Sequence, residues 1–410
     1  MNILLVTNYY EPDQGAAAII VTRLAKKLAA RGHRLTVLTS MPNYPHGRIV
    51  DGYRGKPVVV EERDGVRVIQ TWLWATPSPR VSRKLVSQMS FMLTATLRGL
   101  GIPRPDVMLV EAAPMFTGFA GFVLSTFKRV PYVLDVHDLW PDHMLTVGKM
   151  TATHPAYQVA RRAMDALYRG ASSIIALTPY LEKVIQGYLP PDQRQKTKTI
   201  FSGVDLQRFR PGIDASAFRQ EHDLGDARLV AYIGTLGTAY DPITMLEAAR
   251  QFVDRPDVRF VIMGTGTQRA LVEARLQQGD LPNVRWIEWV DYAAIPQAWA
   301  ATHIAYWALY DHELHKGAIG TKMYEAMSSG VPVCVALEGV VADVLRESGG
   351  GLSSPFEDAE ALAANLRRLL DDDTFYHQCG QNARRYAEAH FDAEQTALAY
   401  EDMLLRAVTD

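Results

Sequence analysis

Cysteine is nearly absent from this chain: Cys334 in VPVCVAL and Cys379 in FYHQCGQNA are all it has, and their spacing suits no metal-ligand pair. Reduced thiols in a cytosolic protein are expected, which sets aside disulfide-stapled secreted scaffolds. An excess of charge of either sign is lacking too. Lys and Arg number 43 against 45 Asp and Glu, a net charge of −2, so no overall basic field marks nucleic acid as a partner. Long hydrophobic runs are also missing. The longest candidate, Phe116 to Phe127, falls short of the roughly 20 residues of a membrane span. The opening MNILLVTNYY has neither the cationic leader nor the apolar length of an export signal. The expected location is cytoplasmic, with any membrane contact peripheral.

What the chain does have is length and alternation. Its 410 residues, 48% of them hydrophobic, exceed the roughly 250–300 at which a single core stops growing, so two domains are expected. Short apolar runs alternate with helix-length segments, the grammar of βαβ units around parallel sheets. In the first half, strands are expected at Ile3–Thr7, Leu35–Thr39, Val107–Glu111, Tyr132–Val136 and Ile174–Leu177, with a hairpin in VVVEERDGVRVIQTW turning at Asp64-Gly65. In the second half they are expected at Leu229–Ile233, Phe260–Met263, Arg285–Trp289, Ile304–Trp307 and Val333–Ala336. Both halves open on a strand, a turn of small residues and a helix, so the fold class is α/β with two Rossmann-like domains. The proline-bearing stretch 188–200 separates a domain over 1–190 from one over 200–390, and 391–410 reads as an amphipathic helix that crosses back to the first.

The stretch HELHKGAIGTKMYEAMSSGVPVCVAL is a small-residue loop, then a helix, then a buried strand. Lys322 falls in the first turn of that helix, where the dipole's positive end disfavours a cation unless an anion is bound. The amides of Gly320, Thr321 and Lys322 add donors for such an anion, and a diphosphate fits. Glu325 shares the face of Lys322 and suits ribose hydroxyls. In PYVLDVHDLWPD, His137 and Asp138 follow a buried strand and belong at its carboxyl end. A neutral imidazole there can bond a sugar hydroxyl or move a proton, while Asp135, one strand period back, reads as structural and in need of a partner. The turns GTLGT (234–238) and GTGT (264–267) can bring backbone amides near a phosphate or base, although neither completes GxGxxG.

Together, YEPDQGAAA, TSMPNYPHGRI, DLWPD and TKMYEAMSSGVPV resemble glycosyltransferase family 4 along essentially the whole chain, with a flavour of the bacterial polysaccharide-assembly branch that contains N-acetylfucosamine transferases. The resemblance implies the GT-B arrangement, two Rossmann-like domains facing across a cleft. It also implies retention of anomeric configuration, no metal or other cofactor, a UDP-sugar donor, and a saccharide or polyprenyl-pyrophosphate-linked acceptor. It gives Gly15 a place beside donor phosphate and acceptor, His137 the transferred sugar, and Glu325 the ribose, as second acid of an E-x7-E motif whose first acid falls at Gly317. Donor contacts are then expected from Gly234, Thr235, Thr238, Gly264, Gly317, Ala318, Ile319, Gly320, Thr321, Lys322 and Glu325. Relatives carry an arginine and a lysine in the loop where this chain has Thr235, Thr238 and Asp241. Lys322 is therefore the foremost cation and Lys316 a second. The implied mechanism is front-face displacement, with an epimerase of UDP-N-acetylglucosamine and a non-catalytic nucleotide-sugar binder as rivals. The segment 79–104, with Arg80, Arg83, Lys84, Arg98 and Arg104 among Leu85, Met89, Phe91, Met92 and Leu93, suits an anionic membrane surface.

Overall fold

A strand covered on both faces must be apolar along its length, and ILLV in β1 (Asn2–Val6) meets that condition, each of the four residues being buried. In the computed structural model, which describes residues 1–78, 80–146 and 151–409, β1 lies inside an eight-stranded sheet. The others are β2 (Arg34–Ser40), β3 (Val58–Arg63), β4 (Val66–Thr71), β5 (Val107–Glu111), β6 (Tyr132–Val136), β7 (Ser173–Ala176) and β8 (Thr197–Thr199). Their order is β3-β4-β2-β1-β5-β6-β7-β8. All neighbours run parallel except β3 and β4, the hairpin turned by Asp64 (φ 48) and Gly65 (φ 77).

The second sheet is wholly parallel. It contains β9 (Arg228–Ile233), β10 (Val258–Met263), β11 (Val284–Ile287), β12 (Ile304–Ala308), β13 (Val333–Ala336) and β14 (Gly351–Ser354), in the order β11-β10-β9-β12-β13-β14. In each sheet the first strand has its successor on one side and a later strand on the other. The topological switch points, beyond whose carboxyl ends ligands bind in such sheets, therefore lie at β1/β5 and β9/β12.

Two compact units result: Met1–Ser202 with Ala393–Asp410, and Gly203–Asp392. Residues 188–200 do not stand outside the sheets, since they supply a 3-10 helix at Pro191–Lys196 and the edge strand β8. The C-terminal helix, Ala393–Thr409, packs on the first unit, burying Ala397, Tyr400, Met403, Leu404 and Ala407 against a core that includes Leu5, Val21, Leu109 and Val133. Glu401 on that helix meets Arg31 at 2.6 Å and His33 at 2.8 Å.

Among the described residues no helix is long and apolar enough to cross a membrane. The run 116–127 lies in a helix, Met115–Lys128, whose Gly118 and Gly121 let Leu167 and Val110 approach. The helix Val81–Leu100 buries Phe91 and Ala95 but leaves Val86, Met89, Leu93, Leu97 and Leu100 exposed along one side.

Candidate functional site

The second unit gathers the residues of its switch point around one amine. Lys322 opens the helix Thr321–Ser328, yet it is only 6% exposed. Its Nζ lies 4.1 Å from the centre of the Tyr232 ring and 3.8 Å from that of Tyr240, with Trp307 at 5.8 Å. No hydrogen-bond partner reaches the Nζ among the described residues. Burial pushes the lysine well below its ordinary pKa, opposed by the nearby Glu325 carboxylate. The first intrahelical-type bond is made by the Met323 amide to Gly320 O, at 3.0 Å. The amides of Gly320, Thr321 and Lys322 thus precede the ladder, beside the amine.

Glu325 is held by the Trp299 indole, which donates to Oε2 at 3.2 Å. Gly317, Ala318 and Ile319 form the approach to the helix, Gly317 being buried at the end of the 3-10 helix Glu313–Gly317. Lys316 turns elsewhere: its Nζ meets Glu313 at 3.0 Å and Glu338 at 3.9 Å.

The glycine turns act differently from what their sequences suggest. The amides of Gly234 and Gly264 are both used, donating to Met263 O at 2.9 Å and Ile287 O at 2.8 Å, so neither is a phosphate donor. What these glycines supply is room. A Cβ on Gly234, whose φ is 143, would stand 3.1 Å from Lys322 Cε, and one on Gly264 would stand 2.0 Å from Gly234 O. Thr235 and Thr238 have exposed side chains, and Thr235 O accepts the Tyr232 hydroxyl at 2.6 Å.

The first unit gathers a second group, at the ends of β1, β5 and β6. Thr7 donates to Glu111 across the β1/β5 switch point, and Glu111 pairs in register with Asp135. Strand alternation puts Asp135 on the face of Val133, and His137 continues it beyond the strand end. The His137 Nε2 lies 3.1 Å from Asp135 Oδ1, an ion-pair distance at an angle outside that of a hydrogen bond. Asp135, not the neighbouring Asp138, is thus the partner of His137. Burial alone would hold the imidazole neutral, but Asp135, Glu111 and Asp138 outweigh it and push its pKa up to about 9. The carboxylates around His137 thus favour the charged ring over the neutral imidazole expected from the sequence. Burial, partly offset by His137 and Thr7, pushes Glu111 up to about 7. Gly15 caps the helix Ala16–Ala30, and a Cβ there would strike the Tyr44 ring at 2.7 Å.

Sequence reasoning missed Tyr232, Tyr240, Trp307, Trp299 and Tyr400. Tyr232 and Trp307 look like ordinary strand residues, and no local spacing links Tyr240 to a lysine so distant in the chain.

Residues 15–197 match the glycosyl transferase 4-like domain, and residues 214–386 match the glycosyl transferases group 1. An Escherichia coli protein named for colanic acid biosynthesis, the glycosyl transferase WcaI, is 23% identical over 96% of this chain and 97% of its own. Sucrose-phosphate synthase from Thermosynechococcus elongatus shares the fold with a TM-score of 0.76 at 20% identity, over 100% of this chain and 99% of that one. HepE from Anabaena, solved in complex with UDP-glucose, does so with a TM-score of 0.72 at 18% identity, over 99% of each chain. With two parallel-sheet α/β units and a matching domain in each half, the chain belongs to the family 4 glycosyltransferases of GT-B type.

Proposed function

We propose that the protein is a retaining glycosyltransferase that moves a sugar from a uridine-diphosphate donor to a saccharide or polyprenyl-pyrophosphate-linked saccharide in cell-surface polysaccharide synthesis. The observation that carries this reading is the buried, unpartnered amine of Lys322 beside the opening amides of its helix. A bound diphosphate supplies the counter-charge that the site lacks, and the aromatic rings keep water from screening it. Glu325, steadied by Trp299, takes the ribose hydroxyls. The structural relative HepE, solved with UDP-glucose, supports uridine as the nucleoside.

Transfer then proceeds on one face of the sugar. The C1–O bond to the diphosphate breaks with its electron pair passing to the phosphate oxygen, where Lys322 meets the growing charge. The acceptor hydroxyl attacks C1 from the same side, and its proton passes to that oxygen. His137, charged and fixed by Asp135, donates to a hydroxyl of the transferred sugar. No metal ion takes part, so chelation leaves turnover unchanged. The enzyme works in the cytoplasm at the inner membrane face, where the exposed apolar side of helix Val81–Leu100 and the exposed Arg83 and Lys84 of its first turn meet anionic lipid.

The test is release of UDP from UDP-glucose and UDP-N-acetylglucosamine, with and without a polyprenyl-pyrophosphate-linked acceptor, and the product anomer by NMR. Acceptor-dependent release with a retained anomer is expected. A 2-epimerised nucleotide sugar, an inverted product, or binding without turnover overturns the reading.

A further inference from the structure

The helix Ala393–Thr409 is more than a strap on the first unit. Its buried Tyr400 donates its hydroxyl to Asp135 Oδ1 at 2.9 Å, and this is the same oxygen that His137 Nε2 faces at 3.1 Å. The two partners are separated from Tyr400 by more than half the chain, yet all three side chains are at most partly accessible and Tyr400 and Asp135 are buried. Ion pairs of Glu394 with Lys27 and of Glu401 with Arg31, together with the Glu401–His33 hydrogen bond, hold the helix on either side of Tyr400.

The packing explains why a hydroxyl is found there. Val133 and Asp135 point from β6 to the face that this helix covers, and Val107, Leu109, Ile3 and Leu5 fill the apolar part of that face. At the carboxyl end the face turns polar, with Thr7, Glu111, Asp135 and His137 in succession. A phenylalanine would satisfy the apolar part equally well. A tyrosine adds one donor, and it is spent on the carboxylate that orients the histidine.

We infer that Tyr400 is a positioning residue for transfer, fixing the Asp135 carboxylate and through it the ring and charge of His137. This rests on the reading of His137 as the group that meets the transferred sugar. Tyr400 itself touches no substrate. Its loss should therefore appear in turnover and in the pH profile, with nucleotide binding untouched.

Tyr400→Phe removes the hydroxyl and keeps the packing. It is expected to lower kcat by about tenfold, as loss of one hydrogen bond to a charged group does, with KM for the donor and affinity for UDP unchanged. The groups facing His137 are Asp135, Glu111 and Asp138. With the Tyr400 hydroxyl gone, the Asp135 charge acts more fully on the imidazolium, and the alkaline limb of the kcat–pH profile moves up. Asp135→Asn, as a second variant, moves it down. In a His137→Ala background, Tyr400→Phe should cost nothing further. If His137→Ala itself leaves turnover intact, the reading of His137 fails. If His137→Ala is crippled while Tyr400→Phe matches the parent, or costs the same tenfold with His137 absent, the role of Tyr400 is overturned and the reading of His137 stands.

Discussion

Replacing Lys322 with methionine should make the ligand-free protein more stable and the enzyme nearly inactive. Methionine keeps the length of the side chain and suits the aromatic surroundings of Tyr232, Tyr240 and Trp307. Leaving a buried polar group without a partner costs about 1–3 kcal/mol, and contacts with the ring faces return about 0.5–2 kcal/mol. The net gain on substitution is then about 1 kcal/mol, which moves Tm by roughly 2–4 °C in a unit of this size. The sign of its pH dependence follows from linkage. The folded pKa of Lys322 is depressed, so at neutral pH the unfolded chain holds the proton more tightly and stability rises with pH. The advantage of the methionine variant is therefore full only below the depressed folded value, shrinks as pH rises above it, and vanishes as pH approaches the ordinary lysine value of about 10.4.

Turnover should move the other way. Charge builds on the departing diphosphate, and removing one group aimed at it costs about 100- to 1,000-fold. Calorimetric scans without ligand at neutral and alkaline pH, paired with UDP release from the donor, read both effects. Lys316→Ala is the control, and it should leave turnover within about threefold, since its ammonium is already engaged by exposed acids. The reasoning is refuted if Lys322→Met lowers Tm while keeping turnover within tenfold of the parent, or if Lys316→Ala is the more damaging change.

Much of the fold was legible because parallel strands write themselves as apolar runs. Val107–Glu111, Tyr132–Val136 and Val333–Ala336 fall where the sequence puts them. The strands not foreseen, β8 (TKT) and β14 (GLSS), are short and polar edge pieces, recruited by their neighbours' unpaired backbone groups. Strand β11 ends at Ile287, two residues early, and Trp289 is exposed beyond it. Within the site, helix position alone made Lys322 suspicious. Its cage could not be read, because Tyr232 and Tyr240 reach it through the fold and not through any local period. His137 shows a different failure. Adjacency in sequence suggests Asp138, whereas the two-residue period of a strand, continued past its end, selects Asp135. The glycines at 234 and 264 stand out in the sequence, but the amides that make them candidates are already bonded within the sheet.

Glu325→Gln should weaken UDP binding by about 10- to 100-fold, the worth of a hydrogen bond to a charged acceptor, whichever sugar is attached; unchanged affinity by calorimetry removes Glu325 from the ribose. Leu93→Glu with Leu97→Glu should abolish co-sedimentation with phosphatidylglycerol-rich vesicles at low salt, because both side chains are exposed on a segment with no Asp or Glu from 65 to 105. Parent protein that fails to sediment ends the membrane reading. His137 should titrate by NMR with a midpoint near 9. Its pKa is raised in the fold, so the charged pair with Asp135 stabilises the protein fully below the ordinary histidine value of about 6.5 and is lost as pH rises through 9. If the imidazolium is the form that meets the transferred sugar, turnover must fall over that same upper window, while affinity for UDP, which lacks the sugar, stays level. A midpoint at or below 6.5 means that the Asp135 pairing does not hold the proton. Turnover that stays flat through pH 9 while the ring titrates there means that the proton is not used.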